Sequence, residues 1–211
     1  MKLKQLLILA VFAPVALAFG QGSTNFQSGV HYQVLSPTQP TSSSPDQVEV
    51  AEFFMYSCPA CYNFEPFVEQ WLTMKPDYVN FIRIPTVWSP PVRLHAQGFY
   101  AAEALGKIEE MHEPFFREMH VEGNFLQSEA AMAAFFEQFD VGDEEFASAF
   151  SSFAVHTKLQ RADELTRRYR VSSTPSVVVN GKYVTNASMA GGYAQLIELV
   201  AELAAAERAG E

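Results

Sequence analysis

Two cysteines set where a hydrophobic strand gives way to a helix constrain this chain more than any other feature. Cys58-Pro59-Ala60-Cys61 holds both cysteines of the 211 residues. The run from Val48 to Tyr56 ahead of it is rich in β-branched and aromatic residues, as a buried strand requires. Behind it Phe64, Phe67, Val68, Trp71 and Leu72 fall at i, i+3, i+4, i+7 and i+8, one face of a helix. Pro59 suits the first turn of that helix, where its missing N–H costs nothing and its fixed φ is already helical. Pro66 interrupts the pattern without ending it, which predicts a kink near Tyr62 to Glu65. A thiol at a helix N-terminus feels unpaired N–H groups and the positive end of the dipole, both of which favour the thiolate. Two cysteines three apart on that turn can close a disulfide with little rearrangement.

The compartment sharpens the meaning of the pair. Lys2 and Lys4, the apolar run Leu6 to Leu17 and the small-x-small Ala16-Leu17-Ala18 read as a secretory leader over residues 1–18, cleaved near Ala18. The apolar run is short for a membrane span and contains Pro14. Removing the leader takes away two lysines, so the mature chain is more acidic than the formal charge of −10 on the full sequence. That acidity argues against a nucleic-acid partner. Exported proteins mostly use cysteines as structural staples, but a disulfide closing a two-residue loop restrains the unfolded chain very little. A zinc site needs two further ligands, and His31, His95, His112, His120 and His156 are scattered, none at finger-like spacing from a cysteine. Redox chemistry without metal or cofactor is the reading that remains.

The rest of the chain divides by pattern. Residues 19–47 are polar, with a Pro- and Ser-rich arm from Pro37 to Pro45 and a short edge strand predicted within His31 to Leu35. A second main strand is expected over Tyr78 to Ile84. From Pro85 to about His156 the pattern is helical. Pro90-Pro91 opens as a loop, His95 to Leu105 forms a helix stopped by Gly106, and Ile108 to Met119 forms another. Leu126 to Phe139 forms a third, entered through Ser128, and Phe146, Ala149, Phe150 and Phe153 mark a fourth with Asp143 as N-cap. The dense phenylalanines read as packed helix faces rather than a ligand pocket. Beyond His156 a helix bearing Lys158, Arg161, Arg167, Arg168 and Arg170 has its cations towards the C-terminal end of the dipole. Thr174-Pro175 then leads to a strand Ser176 to Val179, the turn Asn180-Gly181 and a strand Lys182 to Val184, a strong hairpin signature. A last helix carries Tyr193, Leu196, Ile197, Val200 and Leu203 on one face. The two ends of the chain are expected to build one sheet with helices on both faces, of the α/β class.

Taken together, Glu52-Phe53-Phe54, Cys58-Pro59-Ala60-Cys61-Tyr62-Asn63-Phe64-Glu65, Thr174-Pro175 and Val178-Val179-Asn180-Gly181-Lys182-Tyr183 resemble the DsbA family of periplasmic thiol:disulfide oxidoreductases. The resemblance implies a thioredoxin fold, a central mixed sheet flanked by helices, with an inserted all-helical domain. Its parts would be residues 19–85 and 157–211, with the insert over 86–156. It implies that Cys58 is the nucleophile, Cys61 the buried resolving partner, and Glu52 a proton relay beneath them. A buried carboxylate needs a partner, and Arg83 on the neighbouring strand is the best candidate in the sequence. Pro175 matches the family's cis-proline, and the Thr174 backbone would then face the cysteines and pair with an extended substrate. It further implies a monomer in the periplasm that oxidises exported polypeptides and is recharged by a quinone-linked membrane oxidase of the DsbB type. An isomerase or reductase kept in the dithiol state, or a peptide-binding chaperone module, are the alternatives. Two residues depart from the best-known members: Ala60 stands where they carry histidine, and Thr174 where many carry valine. Ala60 can neither donate a hydrogen bond nor carry charge, so Cys58 is expected to be less acidic, and the protein a milder oxidant, than those relatives.

Overall fold

A computed structural model describes residues 26–210. The expected secretory leader over residues 1–18 lies outside the described residues. Thirteen elements follow in order: β1 (Gln33–Val34), β2 (Val48–Phe54), α1 (Pro59–Leu72), β3 (Val79–Pro85), α2 (Pro90–Ala104), α3 (Ile108–His120), α4 (Glu129–Glu137), α5 (Asp143–Phe150), α6 (Phe153–Arg168), β4 (Ser176–Val179), β5 (Tyr183–Asn186), α7 (Ala187–Ala190) and α8 (Tyr193–Ala209). The five strands form one sheet in the order β1-β5-β4-β2-β3. β2 is central, parallel to β3 and antiparallel to β4, with Glu52 paired to Arg83 on one side and Val177 on the other. All seven of its residues are buried, which is why the run reads as nearly continuous apolar sequence.

Strand alternation divides the core between the two faces of the sheet. Val48, Val50, Val177 and Val179 pack with Phe64, Val68 and Trp71 of α1 and with Leu196, Leu199 and Val200 of α8. Ala51, Phe53 and Val178 face the other way, against a cluster that includes Phe99, Met111, Phe115, Phe116, Phe135, Phe136 and Leu159. The phenylalanines are therefore core, each contributing about 1.5–3 kcal/mol by burial. Phe125 and Phe153 are exceptions, both exposed, Phe153 at the start of α6. Phe153 belongs to a different helix from Phe146 and Phe150, not to the same face.

Several helix ends differ from expectation for local reasons. Pro90 and Pro91 do not form a loop; they occupy the opening of α2, where an absent N–H leaves nothing unsatisfied. The N-cap of α5 is Gly142, and Asp143 is the first helical residue, its charge joined by Glu144 and Glu145 at the positive end of the dipole. Ser128 caps α4 as expected, accepting from Ala131 N at 3.1 Å. Helix α6 begins at Phe153, so it runs across the division drawn at His156. Helix α1 continues through Pro66.

The hairpin between β4 and β5 turns at Asn180 and Gly181, with φ of 50° and 62°. Two successive left-handed residues are what a type I′ turn demands. Gly181 is required twice over, because a Cβ there would collide with the Gln39 carbonyl, whose own N–H donates to Gly181 O at 2.9 Å. The arm ahead of β2 is further held by Glu49, which accepts from Ser42 N, Ser42 Oγ and Ser43 Oγ at 2.8, 2.7 and 3.0 Å.

Candidate active site

Cys58 is the N-cap of α1, in extended conformation, and Pro59 opens the helix. The Cys58 carbonyl accepts from the N–H groups of Cys61 and Tyr62, both at 3.1 Å. Its sulfur therefore sits at the open end of the helix, half-buried, while Cys61 one turn on is completely buried. Both are free thiols. The loop before β4 crosses the same end of the sheet: the Thr174–Pro175 peptide is cis, and the Cys58 thiol donates to the Thr174 carbonyl at 3.5 Å. The structure thus brings Cys58, Cys61, Thr174 and Pro175 together from opposite ends of the chain.

The two thiols are electrostatically unequal. The hydrogen bond from the Cys61 thiol is the main influence pulling Cys58 down to about 5. The nearby Thr174 hydroxyl, buried and making no hydrogen bond in the reduced protein, and the N–H groups of Cys61 and Ala60 act in the same direction against partial burial. Burial pushes Cys61 far above the ordinary thiol range, and the neighbouring Cys58 sulfur adds to it. At neutral pH one sulfur is a thiolate and the other a thiol, although no histidine stands between them.

Glu52 is wholly buried on β2, and neither of its oxygens has a hydrogen-bond partner. Burial, assisted by the charge of Glu65, raises its pKa to about 8. Arg83, the partner expected for it, is indeed the facing residue of β3, but the Nε–Oε2 separation is 3.6 Å. Its hydrogen bonds go instead to Glu65 at 2.9 Å and Glu69 at 2.7 Å, both on α1. The second oxygen of Glu65 meets His112 Nε2 at 3.2 Å, and His112 Nδ1 meets the Tyr56 hydroxyl at 2.7 Å. Burial works to raise the Glu65 carboxyl, yet the His112 hydrogen bond and the Arg83 charge outweigh it and hold it low.

Glu65, Glu69, His112 and Tyr56 were not singled out for a role by sequence reasoning. A signal existed for two of them. Glu65 lies on the buried face of α1 with Cys61 and Val68, and His112 on the buried face of α3 with Phe115, Phe116 and Met119. A polar group on an apolar stripe must find a partner.

A central mixed sheet, a dithiol at the mouth of its first long helix and a cis-proline loop against the reactive sulfur define a thioredoxin-fold disulfide oxidoreductase. A family model for thioredoxin matches residues 43–198. The chain is 34% identical over 205 residues to the thiol:disulfide interchange protein DsbA of Pseudomonas aeruginosa, covering 96% of this chain and 97% of that protein. It is 34% identical over 176 residues to the DsbA of Burkholderia cepacia, covering 82% and 83%. The crystal structure of Pseudomonas aeruginosa DsbA superposes with a TM-score of 0.83 at 34% identity, covering 88% of this chain and 96% of that one. That of DsbA from Xylella fastidiosa does so with a TM-score of 0.79 at 25% identity, covering 85% and 96%. The chain belongs to the DsbA family of thiol:disulfide interchange proteins.

Proposed function

We propose that the protein donates the Cys58–Cys61 disulfide to exported polypeptides in the periplasm, with the leader removed near Ala18. The observation that carries this reading is the unequal pair, an acidic half-exposed Cys58 against a buried, strongly protonated Cys61. A substrate thiolate attacks the Cys58 sulfur of the oxidised protein, forming a mixed disulfide and breaking the bond to Cys61. The leaving Cys61 sulfur takes up a proton, and Glu52 is the group that supplies it. A second substrate thiolate attacks the substrate sulfur of the mixed disulfide and expels Cys58 as a stable thiolate. Two electrons pass to the protein, and the substrate leaves with a disulfide. A good leaving group at Cys58 speeds the last step, and its stability as a thiolate favours the reduced protein.

The carbonyl of Thr174, 3.5 Å from the Cys58 sulfur, supports an extended substrate pairing with this loop, which would align its thiol with Cys58. Reoxidation falls to a quinone-linked membrane oxidase of the DsbB type, in keeping with the family. The test is to mix the oxidised protein with a reduced, unfolded polypeptide carrying two thiols. One disulfide should appear in the polypeptide for each Cys58–Cys61 disulfide consumed, and none with Cys58→Ser. A pair that instead reduces the disulfide of a folded client under the same buffer would overturn the oxidase reading.

A further inference from the structure

Beneath the cysteines one arginine stands among three carboxylates, and the geometry shows which of them holds it. Arg83 is 14% exposed, and its terminal nitrogen lies at hydrogen-bond distance from Glu65 and Glu69. Its Nε is 3.6 Å from Glu52, beyond hydrogen-bond range, and both Glu52 oxygens are left without a donor in the centre of the sheet. Glu65 shares the arginine with Glu69, and of the two it is the one held from outside the redox helix. A carboxylate can only accept, so His112 Nε2 is the donor in its 3.2 Å contact with Glu65. A neutral imidazole then has a bare Nδ1, and Nδ1 is the atom that the Tyr56 hydroxyl approaches at 2.7 Å. Tyr56 is pinned in turn, its ring stacked on Phe115 at 3.8 Å. The sequence of donors runs one way only, from Tyr56 to His112 to Glu65, with Arg83 closing on the same carboxylate.

We propose that His112 is a positioning residue of the redox centre. Its donation to Glu65, with Tyr56 fixing the tautomer, makes Glu65 the partner of Arg83 and leaves Glu52 to carry the proton beside Cys61. Burial keeps His112 neutral and the Tyr56 hydroxyl protonated, as this arrangement requires. The titratable and charged groups facing Glu52 are Arg83 from β3, Cys61, Glu65 and Glu69 from α1, and Tyr56 from the turn between β2 and α1; α3 contributes His112 through Glu65. Its neighbour on β4, Val177, brings no charge. When the His112 donor is lost, Glu65 holds its charge less firmly, Arg83 is freer to turn to Glu52, and Glu52 gives up its proton more readily.

This inference rests on the reading of Glu52 as proton holder, and a carboxyl titration separates the two. In the reduced protein, labelled glutamate carbons followed by NMR, with Glu52 assigned from Glu52→Gln, give its midpoint directly. His112→Leu is expected to move the midpoint down by about one pH unit, a tenfold change in proton affinity. Tyr56→Phe, which keeps the ring and removes only the hydroxyl, is expected to move it the same way by less. His112→Gln, whose amide N–H can reach Glu65, is expected to hold it. A midpoint unmoved by both His112→Leu and Tyr56→Phe overturns the inference, as does His112→Gln moving it as far as leucine. Where His112→Leu does not fold, Tyr56→Phe alone decides. A wild-type Glu52 that titrates at the ordinary carboxyl value of 4.5 instead sinks the proton-holder reading itself.

Discussion

Replacing Glu52 with glutamine should make the protein more stable, by an amount that depends on pH in a defined window. Glutamine has the shape of a protonated glutamate and cannot ionise. In the unfolded chain the Glu52 carboxyl titrates at 4.5, and in the folded protein at about 8, because it is fully buried beside the Glu65 charge and no side chain donates to it. The folded state therefore binds more protons than the unfolded state between those values. Stability is greatest below 4.5 and is lost as pH rises towards 8. At pH 7 the carboxyl lies about 2.5 units above its unfolded midpoint, which is worth about 3 kcal/mol of lost stability. Arg83 keeps Glu65 and Glu69 when Glu52 is replaced, so no charge is orphaned. Urea unfolding of Glu52→Gln and its parent, both carrying Cys58→Ser and Cys61→Ser so that no thiol titrates, measures the difference. The two should be nearly equal at pH 4 and about 3 kcal/mol apart in favour of glutamine at pH 7. Equal stabilities at both pH values, or a glutamine variant weaker at pH 7, would mean that Glu52 is ionised and paired with Arg83, and the reasoning would fail.

Other expectations follow from the same geometry. Thiolate absorbance of the reduced protein should rise with a midpoint at about 5 from Cys58 alone, with no second step from Cys61 below pH 9. Thr174→Val removes the hydroxyl that favours this thiolate and should raise the midpoint by about half a unit to one unit in the same assay. Ala60→His adds a donor and positive charge beside the sulfur, and should lower the midpoint and shift the glutathione equilibrium further towards the dithiol. Cys61→Ser leaves no disulfide to donate and should oxidise no reduced polypeptide. Given a polypeptide that carries a disulfide, its Cys58 thiolate should attack one sulfur, expel the other as a thiolate and, with no Cys61 to resolve it, stay as a protein–substrate adduct on a non-reducing gel. Gly181→Ala places a side chain both at positive φ and against the Gln39 carbonyl; thermal unfolding should show a loss of about 2 kcal/mol or more.

Much of this fold is legible in sequence because its signals are local. The apolar run of β2, the stripe of α1 and the Asn180-Gly181 turn each specify their own element, and Cys58 with Pro59 marks the helix start without reference to anything distant. The redox pair is legible for the same reason. Pairing across the sheet is less so. Glu52 opposite Arg83 is suggested by two adjacent strands, but the sequence does not reveal that Arg83 turns its hydrogen bonds towards α1. That outcome depends on a third carboxylate and on His112, which is 47 residues from Glu65 and held by an element of the insert. Helix ends misread for a different reason. Pro90-Pro91 is compatible with a turn or with a helix N-terminus, and only the packing of α2 beneath the sheet edge decides between them.

The central claim is that a stabilised Cys58 thiolate makes this disulfide one that is given away. Equilibrating the Cys58–Cys61 pair against a glutathione buffer at pH 7 measures it directly. A potential well above (less negative than) the about −270 mV of thioredoxin is predicted, with the thiolate titrating in the acid range. A value at or below that of thioredoxin would contradict the oxidase account and make the protein a reductase.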